Sequence, residues 1–270
     1  MKSGHLSRLV AFAAFVLLPA AAHAAPEEIQ VYIDDMDEPG EIGLDTHINY
    51  VATGESTRAD YPGAEDSLKR LRITPEFSYG LTRHLEAGLY LPLSTIDRDG
   101  HFNFGGVKAR LKYIAHPHGN ANLWYGVNFE IGHVDRRLDI NPWNAEVKGM
   151  LGARTGKWLL ALNTNVDFVV SGPQPAPATL ELASKVSYSI SKRVALGFEG
   201  YNGVGELKNL GHFGSSEQAV YATADIGLGK WDLNLGVGRG FGANPDKLVV
   251  KAIIGVPING LFARHRAIIR

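Results

Sequence analysis

From Glu41 to Ile258, apolar and polar side chains alternate with period two, segment after segment. Successive side chains of a β-strand point to opposite faces, so each such segment has one apolar and one hydrophilic face. Glu41–Tyr50 sets Ile42, Leu44, Ile48 and Tyr50 against Glu41, Asp45, His47 and Asn49. His84–Leu93 sets Leu85, Ala87, Leu89, Leu91 and Leu93 against His84, Glu86 and Tyr90. In Asn122–Gly132, Leu123, Tyr125, Val127, Phe129 and Ile131 oppose Asn122, Asn128 and Glu130. Arg70–Tyr79, Val107–Tyr113, Trp143–Arg154, Lys157–Val169, Thr179–Ile190, Arg193–Tyr201, Glu217–Leu228, Trp231–Val237 and Lys247–Ile258 read the same way, which makes twelve strands. No stretch shows the 3.6-residue period of an amphipathic helix.

The connections alternate too. Leu81–Arg83, Thr155-Gly156, Ser191-Lys192 and Gly229-Lys230 are tight, whereas Thr53–Lys69, Thr95–His101, Val134–Asn141, Val170–Ala178, Asn202–Ser216 and Gly240–Asp246 are long and polar. Short turns at one end and long loops at the other predict an all-β, twelve-stranded, antiparallel, up-and-down transmembrane barrel. Aromatic placement points the same way. Tyr79, Tyr113, Trp158, Tyr188 and Trp231 fall on the apolar face at the tight-turn end, the level of a membrane-interface girdle. Tyr50, Trp143, Phe168 and Phe198 are candidates for a second girdle at the loop end. The competing architecture is a periplasmic sandwich or lipocalin-like barrel with its apolar face inward. Under the membrane reading, arginine at Val127 should block assembly and arginine at Asn128, facing a wet lumen, should be tolerated.

The chain ahead of this pattern has a different character. Lys2, His5 and Arg8 precede an apolar run from Leu9 to Ala22, and Ala22-His23-Ala24 is a small-x-small cleavage site. Residues 1–24 therefore read as a secretory signal peptide, with the mature chain starting at Ala25. Residues 25–40 form an acidic segment holding Glu27, Glu28, Asp34, Asp35, Asp37 and Glu38. Its alternating Ile29, Val31 and Ile33 make it a candidate extra strand or lid, and Pro39-Gly40 turns the chain into a barrel spanning 41–258. A basic tail, 259–270, carries Arg264, His265, Arg266 and Arg270 and is a candidate clasp for the lid.

The hydrophilic faces define the expected lumen, lined by Arg70, Arg72, Glu76, Glu86, Lys108, Arg110, Lys112, Glu130, Glu146 and Lys148 among others. Basic and acidic residues are nearly balanced there, so no strong ion preference is expected. Lys108, Arg110 and Lys112 stand together on one strand. Either they attract anions at a constriction, or they form a ladder paired with Glu86, Glu130 and Glu146. The second is favoured, because buried like charges need counter-charges.

The sequence indicates no enzyme. His212–Ser215 holds a His and a Ser in a loop without a fixed acidic partner. His116 and His118 supply two metal-type ligands without a third, and His133 with Asp135 is no stronger, so no metal and no cofactor are expected. The net charge of −1 argues against nucleic acid as a partner, and the absence of cysteine excludes disulfides and thiolate sites.

Tyr79-Gly80-Leu81-Thr82-Arg83-His84-Leu85-Glu86-Ala87-Gly88-Leu89-Tyr90-Leu91-Pro92-Leu93 resembles a hairpin recurrent in outer-membrane transporters associated with phenol and other aromatic-degradation pathways. Arg83 stands where that pattern has an acidic residue. The resemblance implies an outer-membrane channel passing a small solute, hydrophobic or aromatic, by passive diffusion. The alternative is a non-conducting structural or adhesive surface barrel with a plugged lumen. The expected partners are outer-membrane lipid, the barrel-assembly machinery and a small solute, and the expected location is the bacterial outer membrane.

Overall fold

A computed structural model describes residues 28–55, 61–211 and 216–258. The expected signal peptide, the expected basic tail clasp and the His212–Ser215 loop lie outside them. The strands are β1 (Ile42–Gly54), β2 (Leu71–Gly80), β3 (Leu85–Ile96), β4 (Phe102–Ala115), β5 (Leu123–Val134), β6 (Trp143–Thr155), β7 (Trp158–Ser171), β8 (Thr179–Ser189), β9 (Val194–Glu206), β10 (Asn209–Leu210), β11 (Glu217–Leu228), β12 (Trp231–Gly242) and β13 (Asp246–Pro257). Each long strand pairs antiparallel with its neighbours along the chain, and β13 pairs back onto β1. The result is a closed twelve-stranded barrel without a free edge. The two-residue β10 pairs only with β9 and extends that hairpin beyond the wall.

Which face points out follows from the sequence pattern. Val127 is 45% exposed and its neighbour Asn128 is 0% exposed. An outer wall of exposed Leu, Val, Phe and Tyr, with charged side chains buried inside, is the inverse of a water-soluble barrel and matches a lipid-facing band. Tyr79, Tyr113, Trp158, Tyr188 and Trp231 are all exposed on this outer face at the tight-turn end, and Trp158 and Tyr188 meet edge to face with ring centroids 4.8 Å apart. The tightest hairpins, Thr155–Trp158 and Leu228–Trp231, turn on Gly156 and Gly229, whose φ values are +58° and +80°. Two-residue loops need that left-handed conformation to match strand twist.

Several sequence-based expectations are corrected. Leu93 points inward and is 1% exposed, because the β3–β4 register shifts between Tyr90 and Leu93 and the alternation changes phase there. Strand β4 begins at Phe102, ahead of the expected Val107, and β9 runs to Glu206, past the expected Tyr201. The extension of β9 lowers Phe198, which pairs with Val186 near the tight-turn end and so does not belong to a loop-end girdle. Val127 lies directly across from Tyr113, toward the tight-turn end and away from the middle of the wall. Residues 28–40 form no strand.

Candidate functional site: an occupied lumen

The N-terminal segment runs up inside the barrel. It is reversed at Pro39-Gly40, where the Gly40 amide donates to the Gly80 carbonyl at 2.8 Å. A Cβ on Gly80 would stand 2.2 Å from the Glu38 carbonyl oxygen, so the segment leaves the wall where the wall carries no side chain. From there Asp37, Asp35, Asp34, Tyr32 and Glu28 climb toward mid-barrel.

An apolar patch anchors the segment. Val31 and Tyr32 are buried against Ile114, Trp124, Met150, Leu159, Ala161 and Ala183, with Ile33 and Met36 at the edge. Trp124 and Met150 face inward on otherwise polar faces, over Gly152, whose missing side chain leaves room for the indole. Burying a side chain of this size is worth about 1.5–3 kcal/mol, so Val31 and Tyr32 alone supply a few kcal/mol toward docking.

Polar contacts set the register. Asn163 grips the Tyr32 backbone twice, accepting from its amide at 2.6 Å and donating to its carbonyl at 3.0 Å. Glu86 accepts from the Asp37 amide at 2.6 Å, Lys112 donates to the Asp35 carbonyl at 2.9 Å and Lys251 to the Ile29 carbonyl at 2.7 Å. Arg154 pairs with Asp34 at 2.5 Å. Buried pairs of this kind add little net stability but penalise any other placement.

The Tyr32 ring sits among cations: Lys148 Nζ is 4.0 Å from its centroid, Lys112 Nζ 5.6 Å and the Arg110 guanidinium 5.8 Å. Its hydroxyl lies 2.6 Å from that of Tyr90 and donates to Glu130 at 3.2 Å. Burial, with Glu28 and Glu130 alongside, pushes the phenol pKa well up and keeps it a donor.

All ten expected lumen residues are buried on the inner side. Arg110 pairs with Glu76 and Glu86, and Lys112 with Glu86 at 2.9 Å. Glu146 takes Lys148 at 3.2 Å on its own strand, and Glu130 takes Asn128 and Tyr32. Two of the three β4 cations, Arg110 and Lys112, are thus paired, with Glu76 and Glu86, while the expected partners Glu130 and Glu146 are engaged elsewhere. Lys108 and Arg72 line the same wall. Arg70 sits higher, pairing with Asp246 at 3.1 Å and facing Glu65, where it laces the loop-end mouth. That mouth is also tied by the Glu65 amide to the Arg137 carbonyl and by the Tyr61 hydroxyl to the Arg136 carbonyl. Asn128 is 0% exposed and donates to Glu130 at 2.7 Å, so an arginine there would have to displace packed side chains and its tolerance is no longer expected.

The opposite wall, β8 to β13, carries its own cluster. Lys185 bridges Glu199 and Asp225 at 3.2 and 2.9 Å, and Lys251 holds Glu199 at 2.5 Å. Between this wall and the docked segment lies a cavity of about 110 Å³, bordered by Gln30, Val31, Asp35, Asp45, Arg154, Lys185, Asp225, Asp232 and Asn234 among others. The segment therefore lies against one side of the lumen and leaves space on the other.

The remaining candidates stay apart. His116 Nδ1 engages the Leu123 carbonyl at 2.9 Å in an exposed turn, His133 packs on Trp143, and Asp135 binds Arg137 at 2.8 Å. The sequence reading offered a lid at the lumen mouth; what it missed is that the segment docks inside the barrel, with Tyr32, Tyr90, Asn163 and His47 among the contact residues. Tyr90 and His47 on polar faces were the available signal.

No protein-family profile matches the chain, and no characterised protein matches it by sequence. Solved structures do match its fold. An outer membrane channel from Pseudomonas putida F1 superposes with TM-score 0.61 at 13% identity, covering 85% of this chain and 100% of that one. The KdgM porin gives 0.52 at 10% identity (79% and 98% covered) and the NanC porin 0.51 at 10% (78% and 97%). The fold is that of outer-membrane β-barrels.

Proposed function

We propose that the protein is a passive outer-membrane channel for small solutes, narrowed by its own N-terminal segment. The observation that carries this reading is the charged, water-compatible cavity beside the segment, bounded on its far side by ion-paired residues of the barrel wall. A barrel built only as a scaffold gains nothing from such a lining, since apolar packing would hold it at lower desolvation cost. Outer-membrane lipid and the barrel-assembly machinery are the partners this reading requires.

An aromatic solute is the finer part of the proposal. It rests on the resemblance of the Tyr79–Leu93 hairpin, and the setting of Tyr32 supports it: three cations around a ring and a carboxylate for its hydroxyl form surroundings that suit a phenolic solute. The competing reading, a non-conducting surface barrel, is favoured by the same docked segment and by the laced mouth.

Planar-bilayer recording on the refolded mature chain separates the two. The channel reading expects small, resolved conductance steps. A protein that inserts and never conducts, at any voltage, would support the structural barrel.

A further inference from the structure

Three ligand-type side chains from three separate elements converge inside the lumen: Glu28 of the docked segment, His47 of β1 and Glu76 of β2. Each brings an oxygen or nitrogen to within 4.8 Å of the others. His47 Nε2 lies 3.0 Å from Glu76 Oε2, and the two side chains are 0% and 2% exposed.

The hydrogen bonds around the trio are divided in a telling way. Tyr90 donates to Glu28 Oε2 at 3.0 Å, and Arg110 donates to Glu76 Oε1. Glu28 thus has one oxygen held by the protein and one left over, whereas both Glu76 oxygens are engaged, Oε1 by Arg110 and Oε2 by His47 Nε2. Glu28 Oε1 is buried and without a hydrogen-bond partner, and so is His47 Nδ1. A buried carboxylate oxygen without a donor is costly, and native structures rarely leave one unexplained. Outer hydrogen bonds that orient ligands are the usual surroundings of a metal, and an ion here would take up the Glu28 oxygen and replace the His47–Glu76 hydrogen bond.

Neither nearby cation hydrogen-bonds to Glu28 Oε1. Lys148 is engaged by Glu146 and the Tyr32 ring, and Arg110 is shared between Glu76 and Glu86. With the imidazole neutral, the two carboxylates carry two negative charges, that of Glu76 offset in part by Arg110, which leaves a net attraction for a divalent ion. Imidazole in the set favours a transition metal over magnesium or calcium, which prefer all-oxygen ligands.

We propose that Glu28, His47 and Glu76 form a binding site for a divalent transition-metal ion, one that fastens the N-terminal segment to the β1–β2 wall. The sequence offered no hint, because the ligands lie 19 and 29 residues apart and only barrel closure around the segment brings them together.

Zn²⁺ is the probe, titrated calorimetrically into the refolded mature chain, with Mg²⁺ in parallel. The His101→Ala background removes the exposed Asp97, Asp99 and His101 loop cluster, which could bind independently. The expected result is one Zn²⁺ per chain, no comparable Mg²⁺ uptake, and at least tenfold weaker Zn²⁺ binding in Glu28→Gln and in His47→Gln. Glu28 is not part of the wall, so Glu28→Gln should keep the folded barrel's gel mobility, and it decides the case if His47→Gln misfolds. No Zn²⁺ uptake, or unchanged binding in Glu28→Gln, would overturn the proposal and leave the trio as an imidazolium–carboxylate contact. Because binding is read directly, the result is independent of whether the barrel conducts.

Discussion

Replacing Leu162 by arginine is expected to abolish recovery of folded barrel from the outer membrane. Leu162 points outward on β7, is 39% exposed, and lies four residues above the girdle residue Trp158. A charge near the membrane midplane costs about 2–4 kcal/mol for Arg or Lys in a barrel of this type. That is a large share of a typical total stability of about 5–15 kcal/mol. The matched control is Asn234→Arg on β12. Asn234 borders the open cavity and donates to Asp225 at 2.6 Å, so a guanidinium there finds a carboxylate and space. The measurement is the fraction of protein in the fast-migrating, unboiled form after membrane fractionation. Equal recovery of the two variants would mean that the outer face does not meet lipid.

Deleting Glu27–Glu38 is expected to raise single-channel conductance severalfold. The deletion removes Val31 and Tyr32 from the lumen and frees the wall that now contacts them. It takes away no strand and no wall-to-wall ion pair, since Arg110–Glu86, Lys112–Glu86 and Lys185–Asp225 all join wall residues. The folded barrel should survive, somewhat less stable for the lost apolar burial. Conductance and gating identical to the full chain would place the limiting constriction elsewhere, most directly at the loops laced through Arg70, Asp246 and Glu65.

The wall of this barrel was legible because each residue on it answers a local question, inside or outside, and period-two alternation carries the answer. Leu123 to Glu130 shows this, with every second side chain out and its neighbour in. Local reading failed where the geometry is not periodic. The register shift between Tyr90 and Leu93 reverses the faces, and Leu93 looks as apolar buried inside as it would outside. The longer β9 was hidden because Asn202, Gly203 and Gly205 read as turn residues, although pairing with β8 keeps them extended.

The N-terminal segment was legible only as a candidate lid, and its place inside the barrel was not. Its six acids suggest a solvated stretch, and Ile29, Val31 and Ile33 suggest a strand. The side chains that hold it, Lys112, Arg154, Asn163 and Lys251, come from four strands distributed around the barrel. No spacing along the chain encodes their convergence. The lumen charges were placed on the correct face by alternation, yet their partners depend on which strands are neighbours and at what register. Glu130 lies directly across from Arg110 on β5, yet the Arg110 guanidinium reaches over β3 to Glu76 on β2.

Cross-linking tests the docked segment most directly. The chain has no cysteine, so introduced thiols are the only ones present. Asp34→Cys combined with Arg154→Cys replaces the 2.5 Å ion pair with two thiols and leaves the Val31 and Tyr32 anchor intact. In the folded, membrane-inserted protein a short thiol-to-thiol reagent should join positions 34 and 154 in high yield, read as a linked peptide mass. Asp34→Cys with Leu162→Cys, on the outer face, should give none. Failure of the 34–154 pair to cross-link, with the position-34 thiol fully modified by a bulky water-soluble reagent, would contradict a segment housed in the lumen.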